Sequence, residues 1–183
     1  IMQRRPDDLT VSEADGAITL TASFESHDAG GVRLRMLHRL SAVGLVERWF
    51  EVENRSEEPV QRKLSVLDTF RCEIDRIALP YKGSILESAS EEDAGIWSWS
   101  SDHLTGNWLF SRRSTDTLGL IWDPELRPLT QEWVFTIEHS IGSLAPGETA
   151  RTKSVSAFID TFSTWQELRE YATEDRSPAP ATR

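Results

Sequence analysis

The sequence has little cysteine, no long hydrophobic run and no excess of positive charge, and each shortage excludes a class of protein. Its single cysteine, Cys72, cannot form an internal disulfide and makes a cysteine-rich metal site impossible. No apolar run approaches the roughly 18 residues that a transmembrane helix needs. Twenty Lys and Arg against 30 Asp and Glu give a net charge of −10, which repels phosphate backbones and anionic lipids. We therefore expect neither nucleic acid nor a membrane among its partners.

Several motifs of common chemistry are also missing. Gly30-Gly31 has neither the spacing nor the lysine of a phosphate-binding loop, and the sequence contains no Gly-x-Ser-x-Gly. None of the four histidines is paired with another at the spacing of two or four that metal ligands show. The sequence therefore predicts no cofactor and no metal site. The single cysteine and the lack of a signal peptide favour a cytoplasmic location.

The dominant pattern is an alternation of apolar and polar residues. Ile18, Leu20 and Phe24 alternate with threonine and serine, which is typical of a strand with one buried face. Polar turns such as Asp15-Gly16 and Pro146-Gly147 separate runs of this kind. With 183 residues, seven Trp and seven Phe, the chain can bury a core. We predict an all-β fold, an antiparallel β-sandwich with one short C-terminal helix.

The last part of the chain departs from the strand pattern. Ser163 followed by Gln166 fits a capping box, which predicts a terminal helix near residues 163–173. Residues 174–183 are rich in proline and alanine and are typical of a linker. We predict a single sandwich domain over residues 1–173. The start at Ile1 and this tail indicate a piece of a longer protein.

Two motifs carry a resemblance to a known family. A strand ends at Asn54, a polar turn runs to Pro59, and a second strand leads to Phe70; further on, residues 144–148 read Leu-Ala-Pro-Gly-Glu before a final strand. Together they resemble the galactose mutarotase-like supersandwich domain, which occurs in aldose 1-epimerases and as an accessory domain of glycoside hydrolases. The resemblance covers about residues 10–160 and implies a carbohydrate-related role.

The resemblance also suggests catalytic positions. In aldose epimerases a catalytic histidine lies on the strand after the asparagine turn, where this chain has Leu67 and Asp68. Glu138 matches the family's catalytic base, and a second histidine could only be His103. One role of three is matched, so the resemblance favours binding over epimerase chemistry.

Asp68 is an unusual residue for its position. It is in phase with the apolar residues Val66 and Phe70, which points it toward the core, where an unpaired carboxylate costs several kcal/mol. Arg48, in phase with Phe50 on the preceding strand, is the candidate partner. Asp68 either forms an internal pair with Arg48, lies in a bulge that turns it outward, or faces a sugar.

Tryptophans give the best functional indication. Trp97 and Trp99, two residues apart in a polar segment, would present both rings on one side of an extended chain and could stack on a sugar ring. Asp102 and Asn107 follow closely and could bind hydroxyl groups. Trp108, Trp122 and Trp133 fit a core more readily.

Three functions follow from these residues. The first is a non-catalytic carbohydrate-binding or accessory sandwich domain of a larger carbohydrate-active protein, which binds sugar or packs against a catalytic domain of the same chain. The second is an aldose 1-epimerase-like mutarotase with Glu138 as base and His103 as acid. The third is a structural domain for protein contacts.

Overall fold

A computed structural model describes residues 5–26, 31–41, 44–71, 76–88, 101–131 and 134–174. Within these residues the chain forms thirteen strands, a short 3-10 turn (Ser101–His103) and one helix, α1 (Trp165–Thr173). The strands are β1 (Asp8–Ala14), β2 (Ala17–Ser26), β3 (Val32–Leu40), β4 (Leu45–Asn54), β5 (Val60–Arg71), β6 (Arg76–Tyr81), β7 (Ser84–Ser88), β8 (Trp108–Arg113), β9 (Asp116–Trp122), β10 (Arg127–Gln131), β11 (Val134–Leu144), β12 (Thr149–Arg151) and β13 (Val155–Ile159).

The strands form two antiparallel sheets. The larger sheet of the described chain runs in the order β1-β2-β3-β4-β13-β9-β8-β6-β7, with β12 also paired to β4. The smaller sheet runs in the order β10-β11-β5. Leu120 and Val155 of the larger sheet and Phe135 and Ile137 of the smaller one belong to the same buried cluster, so the sheets pack face to face. The predicted antiparallel β-sandwich with a short C-terminal helix is confirmed.

Helix α1 covers the opposite face of the larger sheet. Leu168 is fully buried and packs in a cluster with Phe110 and Phe158, and its methyl groups occupy the space beside Gly119 where a side chain would otherwise lie. The expected cap is displaced by one residue. Thr164, rather than Ser163, is the N-cap, and Glu167 completes the capping box. The carboxylate of Glu167 is a stronger acceptor for the free amide groups at a helix start than the neutral amide of a glutamine. No helix in the described ranges is long and apolar enough to cross a membrane.

Candidate functional site

An ion pair joins the two sheets of the sandwich. Arg48 on β4 donates a hydrogen bond from Nε to Oδ2 of Asp68 on β5 at 3.0 Å, and its Nη2 contacts Oδ1 of the same carboxylate. The guanidinium also lies 4.0 Å from the ring centroid of Phe70. Asp68 is only 2% exposed, and the Arg48 side chain 18%. The internal pair is therefore one of the arrangements that the sequence allowed, and contact of either residue with a sugar stays a prediction.

Burial and Arg48 act in opposite directions on this carboxyl group. Loss of hydration raises the pKa of Asp68 to about 6, although the charge and hydrogen bonds of Arg48 lower it. At pH 7 the carboxyl group is still ionised and pairs with the guanidinium. Both carboxylate oxygens contact the Arg48 guanidinium, and this pair links the two sheets.

Two histidines border the ion pair. His38 is the cross-strand neighbour of Arg48, and His139 on β11 packs its ring 5.7 Å from that of Phe50. Burial, followed by the charge of Arg48, lowers the pKa of His38 and lowers that of His139 to about 4. Both rings are neutral at pH 7. Sequence reasoning did not place His139 here, although its phase with Phe135 and Ile137 was a signal for burial.

Two depressions share Leu126 as a lining residue, and the surface that they form together is called the Leu126 groove. One has a volume of about 430 Å³ and the other about 500 Å³. Asn107 lines the first and Glu138 the second, so these two predicted site residues lie in different depressions on either side of a shared wall residue, Leu126. The remaining lining residues are Leu104, Thr105, Gly106, Trp122, Pro124, Glu125, Pro128, His139, Ser140, Arg151, Thr152 and Lys153.

Hydrogen bonds and ion pairs fix the walls of the groove. The side-chain amide of Asn107 donates to the carbonyl of Trp122, whose own N–H donates to the carbonyl of Asn107 at 3.0 Å. Lys153 lies 3.1 Å from a carboxylate oxygen of Asp123 and 3.6 Å from one of Glu125. Both contacts raise the pKa of Lys153, and the hydrogen bond to Asp123 is the largest cause. The groove therefore presents amide, hydroxyl, carboxylate and ammonium groups beside an apolar floor.

The structure places His103 elsewhere. Its Nδ1 lies 3.2 Å from the hydroxyl of Tyr81, and the two rings meet edge to face with centroids 5.5 Å apart. Both His103 and Asp102 are exposed on the 3-10 turn. His103 is thus held against the end of β6, whereas Glu138 lies on β11 in the Leu126 groove.

The predicted aromatic surface is only partly described. Trp97 and Trp99 lie outside the described residues, so their role remains a prediction. Trp108 and Trp122 are each 3% exposed and belong to the core. The described residues hold no cluster of histidine, cysteine and carboxylate side chains able to bind a metal ion.

Comparison with known proteins finds relatives of this architecture only among solved structures. No family model matches the sequence, and no curated protein matches it. Among solved structures, the GH36 alpha-galactosidase AgaB from Geobacillus stearothermophilus matches 86% of this chain with 26% of its own, at 16% identity and a TM-score of 0.53. A TPR-domain containing protein from Parabacteroides distasonis matches 96% of this chain with 37% of its own, at 10% identity and a TM-score of 0.60.

A third match is an epimerase homologue. The GalM/aldose epimerase homologue from C. elegans matches 82% of this chain with 68% of its own, at 9% identity and a TM-score of 0.48. The chain spans about a quarter of the alpha-galactosidase it matches. The resemblance to the galactose mutarotase-like sandwich is confirmed as a likeness of fold. The described residues form a sandwich of that fold.

Proposed function

We propose that this chain is a non-catalytic accessory domain of a larger carbohydrate-active protein and that it binds carbohydrate in the Leu126 groove. The observation that carries the proposal is that Asn107 and Glu138, distant in sequence, line two depressions that share Leu126. The fold shared with a GH36 alpha-galactosidase supports the carbohydrate assignment. Residues 1–173 are then the domain, and residues 174–183 link it to the rest of the protein.

The composition of the groove suits a sugar. Depressions of about 430 and 500 Å³ are in the usual range for small-molecule sites, which combine apolar walls with a few fixed polar groups. Leu126 and Pro128 supply apolar surface for the C–H face of a ring. Glu138 can accept hydrogen bonds from hydroxyl groups, and Lys153 can donate to them.

The positions of the candidate catalytic groups support binding without catalysis. Ring opening requires a base and an acid within hydrogen-bond reach of the same substrate. Leu67, one of the two residues at the position of the epimerase histidine, is 60% exposed, and Asp68 is paired with Arg48. His103 is engaged with Tyr81.

Calorimetric titration of the chain with galactose, glucose and their oligosaccharides tests the proposal. We expect saturable binding that Glu138→Gln weakens by about 10- to 150-fold, because a hydrogen bond to a charged group contributes about 1.5–3 kcal/mol. Glu170→Gln on the exposed side of α1 removes the same charge away from the groove and should leave binding unchanged.

Two results would point to the other functions. No saturable binding of any sugar by the wild-type chain would contradict the proposal and favour a structural domain. Accelerated mutarotation of galactose that Glu138→Gln abolishes would replace it with a mutarotase in which Glu138 is the base. The location of Glu138 in the groove is the observation that keeps this second function open.

A further inference from the structure

A separate depression lies on the other face of the larger sheet, where α1 begins. It has a volume of about 230 Å³ and is lined by side chains that include Trp165, Glu87, Arg76 and Arg112. We call it the Trp165 depression. It lies on the face that α1 covers, because its wall residue Phe110 packs with α1, while the smaller sheet covers the opposite face.

Two arginines lie side by side in this depression. Arg76 on β6 and Arg112 on β8 are directly opposite in the antiparallel register. Like charges in this position destabilise a sheet, and they are unexpected in a chain with a net charge of −10. Arg112 donates its Nε–H to the carbonyl of Ser114, at 3.1 Å. An anion between the two guanidinium groups would relieve their repulsion.

The aromatic wall is held in a fixed orientation. The indole N–H of Trp165 donates to a carboxylate oxygen of Glu87 at 3.0 Å, which ties the ring to β7. The Trp165 ring lies parallel to that of Trp108, with 5° between the planes and 6.2 Å between the centroids. A rigid, half-buried indole offers apolar surface at little entropic cost.

The helix start itself is not the source of positive charge. The carboxylate of Glu167 accepts hydrogen bonds from the N–H groups of Ser163, at 2.8 Å, and Thr164, at 3.3 Å, while the Glu167 N–H donates to the Thr164 hydroxyl. These groups therefore have partners within the chain. The two arginines are the cationic groups of the depression.

We propose that the Trp165 depression binds an anionic monosaccharide, a single sugar ring that carries a carboxylate or phosphate group. Arg76 and Arg112 bind the anion, because guanidinium groups match the geometry of carboxylate and phosphate oxygens. Trp165 contacts the apolar face of the ring. The volume, below that of sites for drug-sized ligands, suits one ring. The sugar half of this inference rests on the proposed carbohydrate role, but the site is distinct from the Leu126 groove.

Titration of the full chain, followed by tryptophan fluorescence and calorimetry, tests the inference with four probes: galacturonate, galactose 6-phosphate, galactose and inorganic phosphate. We expect one or both anionic sugars to bind at least tenfold more tightly than inorganic phosphate, with an affinity that falls as salt is added. Arg76→Gln and Arg112→Gln should each weaken that binding at least tenfold. Arg113→Gln removes the same charge from the next position of β8, whose side chain points to the other face, and should not.

The outcomes separate this site from the groove. Binding of the anionic sugars that is unaffected by Arg76→Gln and Arg112→Gln, or equal binding of inorganic phosphate, would overturn the inference. No binding of either anionic sugar would overturn it as well, and saturable galactose binding lost in Glu138→Gln would leave the proposed function intact. We expect Arg112→Gln to keep galactose binding in the groove and Glu138→Gln to keep anionic-sugar binding here.

Discussion

Replacing Asp68 by asparagine removes the charge that faces Arg48 between the two sheets. The carboxylate is 2% exposed and takes two contacts from the guanidinium, so the substitution leaves Arg48 with an uncompensated charge. Loss of one partner of a buried ion pair costs about 3–5 kcal/mol. The Arg48 side chain retains 18% exposure, and this contact with water favours the lower end, about 3 kcal/mol.

Urea unfolding at pH 7, followed by far-UV circular dichroism, measures this cost. Asp68→Asn and Arg48→Met should each lower the free energy of unfolding by about 3 kcal/mol, whereas the apolar double variant Arg48→Met with Asp68→Leu should recover most of the loss. Glu47→Gln is the matched control. Its exposed ion pair with Arg39, at 3.8 Å, should contribute less than about 1 kcal/mol. Additive losses in the double variant, or a cost below about 1 kcal/mol for Asp68→Asn, would refute the structural role of the pair.

The remaining predictions concern pH, the helix and the sheet edge. The pKa of His139 is lowered to about 4 from 6.5, so its neutral form stabilises the fold above pH 6.5 and this contribution is lost as the pH falls toward 4. Asp68 changes the unfolding free energy in the opposite direction between pH 3.8 and 6, because its pKa is raised, so wild type is compared with His139→Phe, which keeps Asp68. The unfolding free energy of wild type relative to His139→Phe should fall by up to about 3 kcal/mol from pH 7 to pH 4. A difference that stays constant with pH would contradict this. Leu168→Ala should cost about 2–5 kcal/mol in urea unfolding, since Leu168 is fully buried beneath α1; a cost below about 1 kcal/mol would be inconsistent with that packing. Thr164→Ala should cost about 1 kcal/mol and Ser163→Ala less than half of that, and the reverse order would assign the N-cap to Ser163. Val11→Thr on β1, where Val11 is 68% exposed, should change the unfolding free energy by less than about 0.5 kcal/mol, and a larger loss would show that this face is covered in solution.

Alternation in the sequence predicted the strands that have one buried face. Arg48 is in phase with Phe50, and Asp68 is in phase with Phe70. The ion pair was therefore one of the predicted arrangements, because strands that share a core place such residues face to face. Strand β1 was not predicted because all its residues are exposed and few of them are apolar. Strand β6 was not predicted either, since its buried run contains Pro80 and does not alternate.

Other features depend on tertiary packing that the sequence does not display. Trp49 lies on the charged face of β4, yet it is buried, and the guanidinium of Arg151 lies 4.5 Å from the centroid of its ring. The Leu126 groove combines residues near 104–107, 122–128, 138–140 and 151–153, which only the pairing of the strands brings together. The sequence named Asn107 and Glu138 separately and could not show that they line depressions with a common wall residue, Leu126.

Proton NMR of freshly dissolved α-galactose in the presence of the protein tests the central claim most directly, because one experiment reports both contact and turnover. Saturation transfer from the protein to the sugar reports binding, and the rate at which β-galactose appears reports mutarotation. A non-catalytic carbohydrate-binding domain predicts saturation transfer that is reduced in Glu138→Gln, with β-galactose appearing at the uncatalysed rate. Faster appearance of β-galactose, or no saturation transfer from the wild-type chain, would contradict the account.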